Sequence, residues 1–268
     1  MEMACTCSAI SIPCSTMLRS RIIPCLLVRN GGLIKTLEFD DGKYVGDPIN
    51  AVRIFNEKEV DELMVLDIDA TVQGREPNYS MIRNLAAECR MPLSYGGGVT
   101  SASQASQIIQ LGVEKVAVSA AAVDRPALVA EMAERIGTQS VAVVIDVKKR
   151  RFPLTGYSVV TRNGRSRSAL DPVEFAKDLE RLGAGEIVIH SVDRDGRQCG
   201  YDLDLATSVR AAIDGPMTVM GGAGSVGDLA ALIDRVGVVG AAAGSLFVFK
   251  GPYKAVLISY ARPNNAAR

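Results

Sequence analysis

The chain has 268 residues, of which 48% are hydrophobic and 22% charged, and its thirty basic side chains balance thirty acidic ones. That length suits one large domain with a substantial core, and the cancelled charge excludes a global attraction to nucleic acid or to an anionic membrane surface. Tryptophan is absent, which leaves little material for base stacking; a single histidine, and six cysteines with no C-x-x-C pair, weigh against a zinc or iron site, so no metal or cofactor is expected. Neither a signal peptide nor an apolar run of transmembrane length is found, and the default location is cytoplasmic. Residues 1–16 carry no charged side chain except Glu2. They are expected to be a disordered or mis-assigned extension ahead of Met17, leaving residues 17–268 as the domain.

In chain order, "IIPCLLV" reads as a strand, followed by a helix at Ala51–Val60, the strand "ELMVLDIDA" and a helix at Tyr79–Glu88. "MPLSYGG" and "KVAVSA" are the next strands, with helices at Ser103–Leu111 and Arg125–Ile136. The apolar run "SVAVVIDV" leads into a long segment, Lys148–Asp171, whose "YSVVTRNGRS" signals a hairpin turning at Asn163-Gly164. Its four basic residues, Lys148 to Arg151, face either a phosphorylated ligand or solvent. Then come a helix at Pro172–Leu182, "EIVIHSVD", a helix at Leu205–Ile213, "PMTVMGG", a helix at Val226–Asp234 and "VVGAAAGS".

Eight strands alternating with helices fit a single parallel (β/α)₈ TIM barrel, with a doubly wound open sheet as the rival. Two halves echo each other, which favours the barrel. "VLDIDATVQG" answers "HSVDRDGRQCG", and "SYGGGVTSASQ" answers "VMGGAGSVGDL". Asp67 and Asp193, like Gly97 and Gly222, stand about 125 residues apart, the period of two four-strand half-barrels.

Glycines at strand ends free backbone N–H groups for an anion. In the second half Gly222, Gly244 and Ser245 would cradle a phosphate together; in the first half Gly97, Gly98 and Ser119 offer fewer polar side chains. Taken singly, each glycine also serves a tight barrel turn. Asp146 ends an unbroken apolar strand, where catalytic groups of barrels emerge, and is a candidate general acid or base. Asp195 is assigned ligand contact, and Asp67 and Asp193 scaffolding.

"RIIPCL", "VLDIDAT", "YGGGV", "LGAGEI", "SVDRDG", "GYDLDL" and "GGAG" closely resemble the cyclase subunit of imidazole glycerol phosphate synthase, in order, over nearly all of Met17 to Arg262. The resemblance implies a (β/α)₈ barrel that takes ammonia from a glutaminase subunit docked on its amino-terminal face. With it, such a barrel cleaves and cyclises a bis-phosphorylated ribulosyl nucleotide. It also implies two acid–base aspartates, at the ends of the first and fifth strands. The fifth-strand one matches Asp146; the first falls on Leu27, which can move no proton. Phosphate contacts carry over to Lys35, Asp195, Gly196, Gly222, Gly244 and Ser245, and, in altered form, to Ser119. A charged ring at the ammonia entrance carries over to Arg21, Glu62, Lys115 and Glu186.

"PCLLVRNGGLIKT" and "GDPINAVRIFNEKEVDEL" further resemble cyclase-like proteins linked to glycosyl amidation in surface-polysaccharide synthesis. From this branch the expectation is a barrel that receives ammonia from a glutaminase, serves a sugar amidotransferase, binds a phosphorylated small molecule and has weak or absent cyclase chemistry of its own. The alternatives are a genuine synthase subunit of histidine biosynthesis and a non-catalytic scaffold that activates the glutaminase.

Overall fold

The computed structural model describes residues 19–150, 155–251 and 253–267. The expectation for residues 1–16 lies outside the described residues. Eight strands form the barrel: β1 (Arg21–Arg29), β2 (Leu63–Asp67), β3 (Leu93–Gly96), β4 (Lys115–Val118), β5 (Val141–Lys149), β6 (Glu186–Ser191), β7 (Met217–Met220) and β8 (Gly240–Ala243). Each pairs in parallel with the next, and β8 pairs back onto β1 through Arg21 to Pro24 opposite Gly240 to Ala243. That closure rules out the open doubly wound sheet.

Side chains alternate across each strand, so a closed sheet makes two cores. Inside the barrel lie Ile23, Cys25 and Leu27 of β1, Met64 of β2, Ala117 of β4, Ala142 and Val144 of β5, Val188 of β6, Met220 of β7 and Ala242 of β8. The other parity, including Ile22, Leu26, Val65, Tyr95, Val143 and Ile189, packs outward against the helices.

Helix positions follow local chemistry. The first helix spans Pro48–Glu57, ahead of the expected Ala51–Val60, because Asp47 caps it through the Asn50 N–H and Pro48 takes the first turn. The expected helix Arg125–Ile136 begins later, at Ala127, and a separate short helix, Ala120–Asp124, precedes it. Pro126 keeps Arg125 out of the helical region, at φ −146° and ψ 83°, between them. Ser101 and Ser225 cap the helices after β3 and β7 in the same way, each accepting from the N–H three residues on. The half-barrel echo therefore persists in the caps.

Two antiparallel excursions leave the carboxyl end. Gly32–Leu37 folds back on β1 and pairs with Asp40–Gly46, turning at Asn30 and Gly31, both left-handed. This hairpin was not expected from the sequence. The second, Tyr157–Thr161 with Ser166–Arg167, is the expected one and turns at Arg162 to Gly164, all at positive φ.

Candidate active site

Two lobes open side by side at the carboxyl end of the barrel and share a wall of Leu27, His190 and Met220. The first lies over β2 to β5 and is bounded by Gly97, Gly98, Ser119 and Asp146. The second lies over β6 to β8 and β1 and is bounded by Lys35, Asp195, Gly196, Gly222, Gly244 and Ser245. The fold thus brings Leu27, Asp146 and every candidate phosphate-contact position named from the sequence onto one surface.

Sterics require glycine at the equivalent turns after β3 and β7. Gly97 has φ +127°, and a Cβ there would sit 2.5 Å from the Asp67 carbonyl oxygen. Gly222 has φ +111°, and its Cβ would sit 2.1 Å from the Gly200 carbonyl oxygen. Close backbone approach fixes both residues, and the same turns leave the lobes walled by main chain.

Leu27 sits in register with Leu66 on β2 and Ile34 on the hairpin, and is 6% exposed. It belongs to the apolar lumen cluster with Met220 and Ile34. The position that the resemblance assigns to an acid is therefore apolar in its surroundings as well as in its residue.

Asp146, opposite His190 on the neighbouring strand, is engaged through both oxygens. Its Oδ1 lies 2.9 Å from His190 Nδ1, and its Oδ2 accepts the Ser119 hydroxyl at 3.0 Å. His190 is buried, and its Nε2 has no hydrogen-bond partner among the described residues; Asp195 Oδ1 is 3.8 Å away. Burial alone would push the imidazole down, but the hydrogen bond to Asp146 and the charges of Asp146 and Asp195 outweigh it and hold it up at about 9. At neutral pH the ring is an imidazolium that donates from Nδ1 to Asp146. The stability it contributes is complete below its ordinary value of 6.5 and is lost as pH rises through about 9.

Asp195 lies between two cations. Its Oδ1 accepts Lys35 Nζ at 2.8 Å and lies 3.8 Å from the His190 Nε2, and its Oδ2 accepts the Thr36 hydroxyl at 3.2 Å. Burial would raise its carboxyl, yet Lys35 and His190 outweigh burial and hold it well below the usual carboxylate range. Asp67 and Asp193 do scaffold: Asp67 accepts the N–H groups of Asp69 and Ala70, and Asp193 accepts the Lys149 N–H at 2.7 Å. Lys149 turns to Asp202 at 3.6 Å and to the Tyr157 ring rather than to either lobe. Arg151 lies outside the described residues.

Three of the lining side chains that the sequence did not single out as site residues stand out by their chemistry. Phe39, at the tip of the unexpected hairpin, meets His190 edge to face at 5.0 Å between ring centres. Arg162, from the second hairpin, borders the first lobe. His190 itself carried a usable signal: it shares inward parity on β6 with Glu186 and Val188.

At the opposite end, Arg21, Glu62, Lys115 and Glu186 form a ring of alternating sign. Arg21 pairs with Glu62 and, at 2.7 Å, with Glu186; Lys115 reaches Glu62 at 2.9 Å and Glu186 at 2.7 Å. Ser94 and Thr218 donate to the two glutamates, which are almost fully buried. This burial sets the ring apart from a solvated surface network. Burial would raise the Glu186 carboxyl, but Arg21 and Lys115 outweigh it and bring it to about 2. A depressed carboxyl stabilises the fold above its unfolded value of 4.5, and that contribution fades as pH falls toward about 2. Its size is on the order of 3 kcal/mol. Urea midpoints measured between those pH values should therefore fall less steeply for Glu186→Gln than for the unaltered protein; parallel slopes would contradict the assignment.

Among the described residues, no group of three or more His, Cys, Asp or Glu is arranged to hold a metal, and no helix is long and apolar enough to cross a membrane.

Residues 21–254 match the model of a family described as histidine biosynthesis protein. A Vibrio vulnificus protein, provisionally named as an imidazole glycerol phosphate synthase subunit, is 54% identical over 248 residues, covering 92% of this chain and 95% of its own length. A Leptospira interrogans protein with a similarly provisional name is 52% identical over 244 residues, 91% and 96% of the two chains. The imidazole glycerol phosphate synthase subunit HisF of Lactococcus lactis is 39% identical over 231 residues, 86% and 89% of the two. With the closed barrel, the two-lobed carboxyl end and the buried charged ring in place, the chain belongs to the HisF family of imidazole glycerol phosphate synthase subunits.

Proposed function

We propose that this chain is the ammonia-using subunit of a glutaminase-coupled synthase, adding ammonia to a phosphorylated carbonyl substrate held across the two lobes. The observation that carries this reading is the pairing of ends: a buried charged ring closes one mouth of the barrel, and a two-lobed pocket occupies the other. Two lobes with glycine-walled turns suit a ligand with a phosphate at each end, one near Gly97, Gly98 and Ser119, the other near Gly222, Gly244 and Ser245. Lys35 supplies a cation beside the second. A glutaminase subunit would dock over the ring, and ammonia would pass inward. The names of the relatives point to the same synthase chemistry, as in histidine biosynthesis.

A second reading rests on Leu27, which removes one proton-transfer group from the shared wall. In that reading the barrel binds its ligand but passes ammonia on, serving a sugar amidotransferase in surface-polysaccharide synthesis. Mixing the barrel with its own organism's glutaminase subunit tests the common part. Glutamine hydrolysis should rise on complex formation, and rise further with the phosphorylated ligand. An unchanged rate with no complex formed would remove both readings.

A further inference from the structure

We propose that His190 is the proton-transfer residue of this site and that Asp146 positions it. The inference rests on the ammonia-adding reading above and deepens it. Both oxygens of Asp146 are already committed, Oδ1 to His190 Nδ1 at 2.9 Å and Oδ2 to the Ser119 hydroxyl at 3.0 Å. A carboxylate so held keeps a lone pair free on each oxygen but is fixed in orientation. It is well placed to hold an imidazole in one orientation, as a carboxylate does in a catalytic triad. The imidazole then presents its other nitrogen.

That nitrogen, Nε2, is buried and has no hydrogen-bond partner among the described residues; Asp195 Oδ1, at 3.8 Å, is too far to accept its proton. A donor left unpaired in a buried place costs stability, so its retention asks for a ligand atom to receive it. His190 lines both lobes, as does Leu27, the position of the missing acid. A ligand spanning the lobes must pass this shared wall. The groups facing His190 are Asp146 from β5, Asp195 with its partner Lys35, the Phe39 ring, and the uncharged Leu27 and Met220. Two carboxylates against one ammonium keep the ring cationic while it waits for substrate.

The step balances on one nitrogen. As ammonia attacks a carbonyl carbon, a C–N bond forms and the C=O π pair moves onto oxygen. That oxygen takes the proton from Nε2, which leaves a neutral imidazole still bonded to Asp146. The new nitrogen, now carrying a surplus proton, returns one to Nε2. The carbinolamine leaves the residue as it started, and no second protein acid is needed.

Because His190 is the chain's only histidine, labelling histidine with a nitrogen isotope reads this residue alone in an untagged protein. The expected spectrum at neutral pH shows both ring nitrogens protonated, one titration near 9, and a downward move of that titration in Asp146→Asn. Ribulose 5-phosphate, as a phosphorylated ketose probe, should shift Nε2 more than Nδ1. In ammonium-dependent turnover, His190→Gln should lower kcat about 10²–10⁴-fold with KM within a few-fold and abolish the alkaline limb of the kcat profile. A neutral ring at neutral pH, or no response of Nε2 to the ketose, overturns the proposal whether or not the protein turns over. So does a His190→Gln protein with unaltered kcat and pH profile. If the unaltered protein shows no turnover but its Nε2 proton responds to the ketose as expected, the ammonia-adding reading fails while the placement of His190 against the ligand stands.

Discussion

Leu27→Asp should raise ammonium-dependent turnover about 10²-fold, the lower end of what a positioned acid or base supplies. The new carboxylate would stand on the wall shared by both lobes, which the His190 imidazolium also lines. That pairing would give the site separate proton donor and acceptor groups instead of one residue in both roles. The same change should lower stability by about 2 kcal/mol, because the side chain enters a cluster with Ile34, Met220 and Val144. The open pocket and the nearby imidazolium keep the cost below that of a sealed charge. Rate and urea midpoint should thus move in opposite directions. Leu27→Asn, similar in shape and without the charge, should show a smaller stability loss and no gain in rate. A gain as large in Leu27→Asn would point to polarity, not proton transfer, as the missing property.

Lys115→Met should cost about 3 kcal/mol, read as a lowered urea midpoint at unchanged slope. It leaves two almost fully buried glutamates, Glu62 and Glu186, sharing the single guanidinium of Arg21. A buried carboxylate stripped of its partner loses far more than a solvated pair would, for which the expected change is below about 1 kcal/mol. The double variant Lys115→Met, Glu186→Gln restores the balance of one cation to one anion. It should therefore be more stable than Lys115→Met alone, which is a sign reversal that simple loss of contacts cannot give. A single-variant cost under about 1 kcal/mol would make the ring a surface network after all. It would also weaken the case for a guarded entrance at that mouth.

The barrel was legible because its signals agree at several levels. Apolar runs such as "VAVVIDV" and "EIVIHS" are buried on both faces and become β5 and β6, as strands of a parallel sheet should. The charged ring was named completely, because the family resemblance carries over residue by residue at strand starts, where the backbone fixes the side chain's direction. The hairpin after β1 was missed although Asn30-Gly31 is a strong two-residue turn signal. Its strand "GLIKTL" lacks a strict alternation, and four of its six residues are buried against β1 and the site. The later start of the helix at Ala127 was also available in the sequence, since a residue before proline leaves the helical region.

The site was harder, for a reason of geometry. Asp146 could be named from its position at a strand end, but its engagement depends on two residues 27 and 44 positions away, Ser119 and His190. No local pattern shows that both its oxygens are taken. His190 looked like evidence against a metal because it was alone. Strand parity places it in the lumen, but only closure of the barrel sets it between Asp146 and Asp195, where its charge is held.

The most direct test of an ammonia-adding barrel is turnover of the bis-phosphorylated ribulosyl nucleotide by the purified, untagged protein at saturating ammonium. Turnover that saturates in both substrate and ammonium, and that rises in Leu27→Asp, is the expected result. Tight binding of the nucleotide with no turnover in either protein would contradict it, and would leave the barrel as a relay that passes ammonia to another enzyme.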